Sequence, residues 1–174
     1  MQDAVLTMTD TTQPRQAFAE LLELHRGIVF KVANSYAWNP DDRAELAQEI
    51  ATQLWRAFPG YDPARSFSTW MYRVALNVGI SHVRRGSQRQ QHCVPVDDEL
   101  HDMADESSAD PAERHQLGQL QRVIAALDPF NRALMLLYLE ERSNREIGDI
   151  LGLSESNVST KVSRLKQRIR EKFT

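Results

Sequence analysis

Apolar residues recur every three or four positions along most of the chain, the spacing that is typical of amphipathic helices. In the first half this spacing predicts three long helical segments, which begin at Pro14, Pro40 and Thr69, and the third ends at Arg85. Their predicted buried side chains are Phe18, Leu21, Leu22, Ile28, Val29, Val32 and Tyr36, then Leu46, Ile50, Leu54 and Phe58, and then Met71, Val74, Val78 and Ile80. No stretch has a convincing strand pattern, so we predict an all-α fold.

The second half begins with a similar arrangement of polar and apolar residues. Asp110 and Asp128 can each cap a helix, and each precedes a proline at the favoured first helical position. The apolar positions that follow are Leu117, Leu120, Val123, Ile124 and Leu127 in one helix, and Phe130, Leu134, Leu137 and Leu139 in the next. With the two helices described next, the second half is predicted to contain four helices.

The last stretch of the chain predicts two helices that are joined by a tight turn. Ser143 and Glu146 have the spacing of a capping box, which places a helix start there. Gly152 lies where a helix end requires positive φ, and Ser154 can cap the helix that follows. The last helix has an apolar stripe formed by Val158, Val162, Leu165 and Ile169.

On the polar face of this last helix, the side chains are short near its start, and basic residues occur along its length. Residues 155–174 carry six Lys or Arg and two acids, a local charge of +4. A helix of this kind suits the major groove of DNA when a capped helix and a glycine turn precede it. A plain amphipathic helix with a solvated basic face is the alternative, but the three features occur together, and this favours a helix-turn-helix.

An acidic stretch separates the two halves. Residues 86–116 carry two bases and eight acids, a net charge of −6, whereas the whole chain has a net charge of −3. Like charges repel along such a stretch, so we expect an extended, flexible linker over residues 87–110. The resulting division is a flexible N-terminus at 1–13, a helical domain at 14–86, the linker, and a second helical domain at 111–174.

Several classes of protein have no support in the sequence. No apolar run is long enough to cross a membrane, and residues 1–12 lack the features of a signal peptide. The single cysteine, Cys93, fits a reducing cytoplasm. The histidines are scattered rather than paired at metal-ligand spacing, and no phosphate loop or nucleophile elbow is present. We therefore expect no cofactor, no metal and no enzymatic activity.

The chain resembles the extracytoplasmic-function (ECF) sigma factors, which are small two-domain members of the sigma-70 family of bacterial RNA polymerase. Residues 42–50 (DRAELAQEI) are similar to the family's D-A-E-D-L-V-Q-E-V stretch, and residues 67–77 (FSTWMYRVALN) to F-R-T-W-L-Y-R-I-A-R-N. Residues 146–152 (EIGDILG) and 154–158 (SESNV) resemble E-I-A-x-x-L-G and S-E-G-T-V. The resemblance covers roughly residues 17–85 and 117–172, and the order of these motifs makes it specific.

Some positions depart from the family pattern. Ala44 replaces an acid and Glu45 stands where Asp is usual, so the charge of the polymerase-binding helix differs slightly. Gly148 replaces an alanine where two helices approach, which we expect to fit at a helix-propensity cost of about 1 kcal/mol. Leu76 and Ser81 replace an Arg and an Asp that are common in the family near the −10 contacts.

The resemblance implies roles for residues of the first half. The β′ clamp helices of core RNA polymerase would be contacted by Asp42, Glu45, Gln48 and Glu49. The melted non-template strand of the −10 element would meet Phe67, Arg73, Asn77 and the loop at 62–69, while Arg84 and Arg85 would contact duplex phosphate. Taken alone, the acids are also consistent with a solvated helix start, Phe67 and Trp70 with core packing, and the arginine pair with ordinary surface.

The resemblance also implies roles for the second half. The −35 element would be contacted by Arg145, Asn157, Ser159, Thr160, Lys161, Ser163, Arg164, Lys166 and Arg168. Phosphate contacts would come mostly from the Lys and Arg side chains among them, and base contacts from the short polar ones. The partners implied are core RNA polymerase, through its β′ clamp helices and β flap, promoter DNA and an anti-sigma factor, and the acidic linker would thread toward the polymerase active site.

A second interpretation comes from a different class of protein. A conventional helix-turn-helix regulator would bind duplex DNA without polymerase, and as a dimer it would recognise a palindromic site. The stretch from Trp70 to Asn77, which resembles a sigma-factor motif, argues against it.

Overall fold

A computed structural model of the chain describes residues 12–90 and 110–173, and it contains eight α-helices in those ranges. The helices are α1 (Thr12–Leu24), α2 (Arg26–Tyr36), α3 (Pro40–Ala57), α4 (Phe67–Gln90), α5 (Pro111–Ala125), α6 (Pro129–Leu139), α7 (Asn144–Leu151) and α8 (Glu155–Phe173). A 3₁₀ turn at Phe58–Gly60 follows α3, and the described residues include no strand. The predicted all-α fold is confirmed.

Helices α2, α3 and α4 form the core of the first half. Leu46, Ile50 and Leu54 project from α3 and are fully buried, as their spacing predicts. Asn39 caps α3 by accepting a hydrogen bond from the backbone N–H of Asp42 over 2.8 Å. Phe58, predicted to be buried, is only partly so, because it lies in the 3₁₀ turn at the edge of the bundle.

The first predicted segment is in fact two helices. His25 has φ −111° and ψ 14°, which interrupts the helix between Leu24 and Arg26. Its ring packs against Phe67, with 5.3 Å between ring centroids. A one-residue break hardly shifts the helical period, so the apolar pattern does not reveal it.

Helix α4 is longer than predicted and more buried. It continues to Gln90, because residues 86–90 contain neither proline nor a β-branched residue, and a single glycine is tolerated in a helix. Tyr72 and Leu76 are buried, whereas Val74 and Val78 are only partly so. Helix α4 is buried more widely than its sequence pattern predicts because α2 and α3 pack against it and α6 and α7 pack against it as well.

The second half consists of α5 to α8. Asp110 and Asp128 cap α5 and α6 as predicted, by accepting hydrogen bonds from the N–H groups of Ala112 and Asn131. The core of this half includes Leu134, Leu137, Ile147 and Val158, all fully buried. The predicted apolar residue Leu139 instead lies exposed at the end of α6.

Some of the predicted features fall on residues outside the described ranges. The N-terminus at 1–11 lies there, as do Cys93, His92, His101 and most of the predicted acidic linker. None of the helices at 12–90 and 110–173 is long and apolar enough to cross a membrane. The same residues contain no group of three or more metal-binding side chains.

Candidate nucleic-acid interface

The helix-turn-helix is built by local capping and one close backbone approach. Ser143 and Glu146 form a complete capping box, and Gly152 ends α7 with φ 71°. Gly148 faces the turn, where a Cβ atom would lie 2.5 Å from the carbonyl oxygen of Leu153. The N–H of Asn157 donates to the Ser154 hydroxyl over 3.3 Å, which caps α8.

Helix α8 buries one stripe and exposes the opposite face. Val158, Val162 and Leu165 are buried against the rest of the second half. The predicted −35 residues that are exposed are Arg145, Asn157, Ser159, Thr160, Ser163, Arg164 and Arg168. On α8 they follow each other at helical spacing on one polar face, which can face a DNA groove while the stripe stays buried.

Two lysines of the predicted set are less accessible than the arginines. Lys161 and Lys166 are partly buried. The Lys166 ammonium donates to the hydroxyl of Tyr138 over 2.9 Å and lies 5.1 Å from the centroid of that ring. Lys166 is therefore held against α6, and its charge is presented at a fixed position.

A pocket of about 440 Å³ lies on the first half, between the loop after α3 and the exposed side of α4. The residues that line it are Gly60, Tyr61, Asp62, Arg65, Trp70, Arg73, Val74 and Asn77. Its volume lies in the range of small-ligand sites, and its lining combines aromatic surface with polar groups. The structure thus brings the predicted residues Arg73 and Asn77 together with part of the predicted loop.

The aromatic residues that line this pocket belong to a larger cluster of packed aromatic rings. Tyr61 and Trp70 lie 5.1 Å apart, and each lies 5.3 Å from Phe67, all measured between ring centroids. Phe67 is only 7% exposed, so its ring is part of the core. Little of that ring is available to bases, and the aromatic surface of the pocket belongs to Tyr61 and Trp70.

Hydrogen bonds within the loop hold the pocket wall in place. Asp62 accepts from the backbone N–H of Ala64 over 3.0 Å, and its carbonyl accepts from Arg65 over 2.9 Å. The Tyr61 hydroxyl donates to the Arg65 carbonyl over 2.8 Å. The wall is formed before any ligand binds, which lowers the entropy lost on binding.

Glu49 and Arg85, predicted to contact different partners, pair with each other. The Arg85 guanidinium donates to the Glu49 carboxylate over 2.7 Å, which links α3 to α4. Arg84 is exposed beside it. The pair therefore links the predicted polymerase-binding face of α3 to the predicted DNA-binding end of α4.

The predicted polymerase-binding side chains lie on the outer face of α3. Glu45 and Gln48 are exposed, whereas Asp42 and Glu49 are partly buried. The Asp42 carboxylate accepts a hydrogen bond from the Asn39 side chain over 2.6 Å. Asp42 thus also stabilises the start of α3.

Among the described residues, Glu146, Tyr72 and Tyr36 have altered acidity. Hydrogen bonds from the Ser143 backbone and hydroxyl lower the pKa of Glu146. Burial raises the pKa of Tyr72 to about 12, and the Glu140 carboxylate adds to the effect. Burial also raises the pKa of Tyr36 above its ordinary value. Both phenols are therefore neutral hydrogen-bond donors at physiological pH.

Sequence reasoning missed some residues of the pocket. Gly60 and Tyr61 have no predicted role in DNA binding, whereas Val74 and Trp70 are interpreted mainly as core residues. Tyr61 directly follows a Pro-Gly turn, and an aromatic residue in that position was the available signal. The partnership of Tyr61 with Asn77 needs tertiary structure, because the two are sixteen positions apart on different elements.

Family comparisons agree with this architecture. The chain matches Sigma-70 region 2 over residues 21–89 and Sigma-70, region 4 over residues 117–169. It is 27% identical over 170 residues to the ECF RNA polymerase sigma factor SigE of Mycolicibacterium smegmatis, covering 97% of this chain and 66% of SigE. It is 24% identical over 170 residues to SigW of Bacillus subtilis, covering 91% of this chain and 90% of SigW.

Two solved structures share the fold. The sigma factor RpoE from Bartonella quintana, in complex with the anti-sigma factor NepR, matches with a TM-score of 0.72 at 19% identity, over 90% of this chain and 96% of RpoE. CnrH in complex with the cytosolic domain of CnrY matches with a TM-score of 0.65 at 21% identity, over 91% of this chain and 88% of CnrH. Both matches extend over the two halves of the chain.

Proposed function

This chain belongs to the extracytoplasmic-function sigma factors of the sigma-70 family, and we propose on that basis that it directs core RNA polymerase to promoters by reading two DNA elements in two different ways. The observation that carries the proposal is the presence, on one chain, of an exposed helix-turn-helix face and a preformed pocket with aromatic, arginine and asparagine lining. The first suits duplex DNA and the second an unpaired base. Sigma factors are initiation factors and not enzymes.

The second half would read the −35 element. The start of α8 carries short polar side chains that can reach base edges, and Arg164 follows on the same exposed face. Arg145, Lys166 and Arg168 would bind phosphates and position the helix. Helix α8 would thus act as a recognition helix that reads bases, and the basic residues around it would contact the DNA backbone.

The first half would hold the −10 element after its strands separate. A base that has left the stack needs an aromatic surface and hydrogen-bonding groups, which Tyr61, Trp70 and Asn77 supply together. Arg73 at the pocket and Arg84 and Arg85 further along α4 would neutralise the strand's phosphates. Phe67 would act from below by supporting the two rings.

The partners proposed are core RNA polymerase, promoter DNA and an anti-sigma factor. The acidic outer face of α3, with Glu45 and Gln48 exposed, would bind the β′ clamp helices, and the second half would bind the β flap. Two structurally similar sigma factors are solved in complex with NepR, an anti-sigma factor, and with CnrY. We propose a comparable anti-sigma partner here, and action in the cytoplasm, where the polymerase works.

Co-elution with purified bacterial core polymerase on a sizing column, followed by run-off transcription, tests the proposal. We expect stable association and promoter-specific transcripts. Asn77→Ala should reduce strand opening more than duplex binding, and Arg56→Ala, an exposed arginine at the end of α3, serves as the control. Absence of association, together with tight dimeric binding to duplex DNA, would instead establish a conventional regulator.

A further inference from the structure

A lysine and a tyrosine from two helices of the second half meet at the edge of α8. The Lys166 ammonium donates a hydrogen bond to the Tyr138 hydroxyl over 2.9 Å and lies 5.1 Å from the centroid of the same ring. Tyr138 belongs to α6, which packs against α8. Both side chains are only partly buried. The pair is therefore fixed by packing and still accessible to a ligand.

The positive charge of Lys166 is held in place without being neutralised. No carboxylate of the described residues forms an ion pair with Lys166, whereas Lys31 and Arg85 are each paired with a glutamate. A phenol hydroxyl and an aromatic ring attract a cation, but they do not cancel its charge. An ammonium that is held in this way keeps its full charge for an anion.

The pair offers two kinds of hydrogen-bond donor at one point. An ammonium has three N–H groups, and Tyr138 accepts one of them, so the others are left for further acceptors. Because the Tyr138 oxygen accepts from Lys166, its own O–H points elsewhere and can donate as well. The two donor atoms are only 2.9 Å apart, so both can reach the oxygens of a single phosphate group. Hydrogen bonds to such a charged acceptor are the stronger kind.

The register of α8 places this pair beside the face that is predicted to enter the groove. Ser159, Ser163 and Lys166 follow each other at intervals of four and three residues, so they form one row along the helix. Ser159 and Ser163 are exposed members of the predicted −35 set. The row runs along the border between the polar face and the buried stripe. A helix that lies in the major groove meets phosphates along such a border, because the DNA backbones flank the groove.

We propose that Tyr138 and Lys166 form a phosphate site that binds one backbone phosphate of the −35 duplex. In this site Tyr138 contacts the DNA and also positions Lys166. The proposal rests on the proposed function, because it needs α8 to lie in the groove of the −35 element. Since the two donors come from different helices, the bound phosphate fixes the orientation of α8 relative to the DNA through α6 as well. A contact of this kind positions the protein and carries no sequence information of its own.

The affinity of the holoenzyme for a promoter duplex that the parent holoenzyme enriches from a random library tests the proposal. Tyr138→Phe keeps the ring and removes the hydroxyl, and we expect about a tenfold loss of affinity with an unchanged salt dependence. Lys166→Gln should also cost about tenfold, and it should reduce the slope of log affinity against log salt by about 0.9. Arg122→Gln on α5 removes an exposed charge outside the helix-turn-helix, and this matched control should change neither quantity.

The double variant shows whether the two side chains act as one site. Two independent contacts would multiply to a loss of about a hundredfold. Because each side chain holds the other in place, the double variant should lose about as much affinity as either single variant. The loss should be equal for duplexes that differ in the bases of the −35 element, since a phosphate contact weakens binding uniformly across sequences.

A neutral methylphosphonate, placed at one position of the −35 duplex at a time, identifies the phosphate. We expect a position at which this replacement weakens binding of the parent holoenzyme but not that of Tyr138→Phe or Lys166→Gln. A role of Tyr138 in folding alone would not produce such a position-dependent difference. The melting temperature of Tyr138→Phe should stay close to that of the parent chain, because the ring and its packing are retained.

Unchanged affinity of Tyr138→Phe would overturn the proposal, as would a multiplicative loss in the double variant. A methylphosphonate scan in which no position distinguishes the parent from the two variants would overturn it as well. A parent holoenzyme without sequence-specific binding would overturn the proposed function, and the phosphate site with it. Failure of the phosphate site alone leaves promoter binding of the parent intact, so the two failures are distinguishable.

Discussion

Gly148 illustrates what a single residue contributes to the helix-turn-helix. From the sequence, Gly148 is expected to fit in place of alanine at some cost in helix propensity. The structure adds that its hydrogen faces the Leu153 carbonyl, where a Cβ atom would lie 2.5 Å from the oxygen. The glycine is therefore needed for the observed approach of α7 to the turn.

Gly148→Ala is expected to destabilise the protein by about 1 kcal/mol, because the backbone oxygen must move and this strain exceeds the gain in helix propensity. Gly118→Ala in α5 is the matched control, since nothing lies within 4 Å of the added Cβ atom. We expect the control to raise the melting temperature and Gly148→Ala to lower it. Equal stabilisation by both changes would show that the turn adapts freely.

Glu146 makes a pH-dependent contribution to the stability of the folded protein at the start of α7. Its pKa is lowered in the folded protein, so its stabilising effect is fully present above the ordinary value of 4.5. The effect is lost as the pH falls through the lowered pKa. Glu146→Gln should therefore melt below the parent protein at neutral pH, and the two curves should converge in acid. Glu171→Gln controls for the loss of one surface carboxylate, and a constant gap at every pH would contradict the capping role.

At the scale of elements, α8 combines a buried stripe with an exposed polar face. Val158, Val162 and Leu165 are buried where the spacing predicts, and Ile169, the fourth residue of the predicted stripe, is partly buried. Because the register of the stripe is known, the opposite face is known as well. The exposed position of Arg164 therefore follows from the sequence pattern, although its contact with DNA stays a prediction.

Arg164→Ala should weaken binding to a −35 duplex by about 1–3 kcal/mol, since it removes one charged groove contact. The measurement is the affinity of the holoenzyme for labelled promoter DNA at fixed salt. Arg122→Ala, an exposed arginine on α5 outside the helix-turn-helix, should leave that affinity unchanged. An equal loss in both variants would indicate a general charge effect, and no loss would remove Arg164 from the interface.

In the first half, the spacing of apolar residues predicts the buried face of α3 better than that of α4. The buried face of α3 is confirmed at Leu46, Ile50 and Leu54, whereas Phe58 beyond its end is only partly buried. The buried face of α4 is wider than predicted, because α6 and α7 cover its second side. Leu76, where the family often has Arg, is buried in the core.

At the scale of the whole molecule, the contact between the halves makes Tyr72 a buried phenol. Its pKa is raised to about 12 because burial and Glu140 disfavour the charged form. The stabilisation linked to the neutral phenol is fully present below the ordinary value of 10.0 and is lost as the pH rises toward 12.

The melting temperature of the parent protein should therefore fall more steeply between pH 10 and 12 than that of Tyr72→Phe. The phenylalanine variant keeps the ring but has no proton to lose, so it isolates the phenol from other alkaline effects. Tyrosinate absorbance, followed in the same titration, should show late ionisation in the parent. Parallel melting curves for the two proteins would place Tyr72 in solvent.

The sequence by itself determined the local features of this protein. Three such features are the capping box at Ser143, the left-handed turn at Gly152 and the stripe of α8. Each depends on residues a few positions apart, so a short stretch of sequence is enough to predict its hydrogen bonds or its helical spacing. The order of the motifs also identified the family. Only the tertiary structure decided the pocket beside Asn77, the pairing of Glu49 with Arg85 and the burial of Arg132 between the halves. These features join side chains from different elements, and their positions follow from how helices pack, which no local pattern encodes.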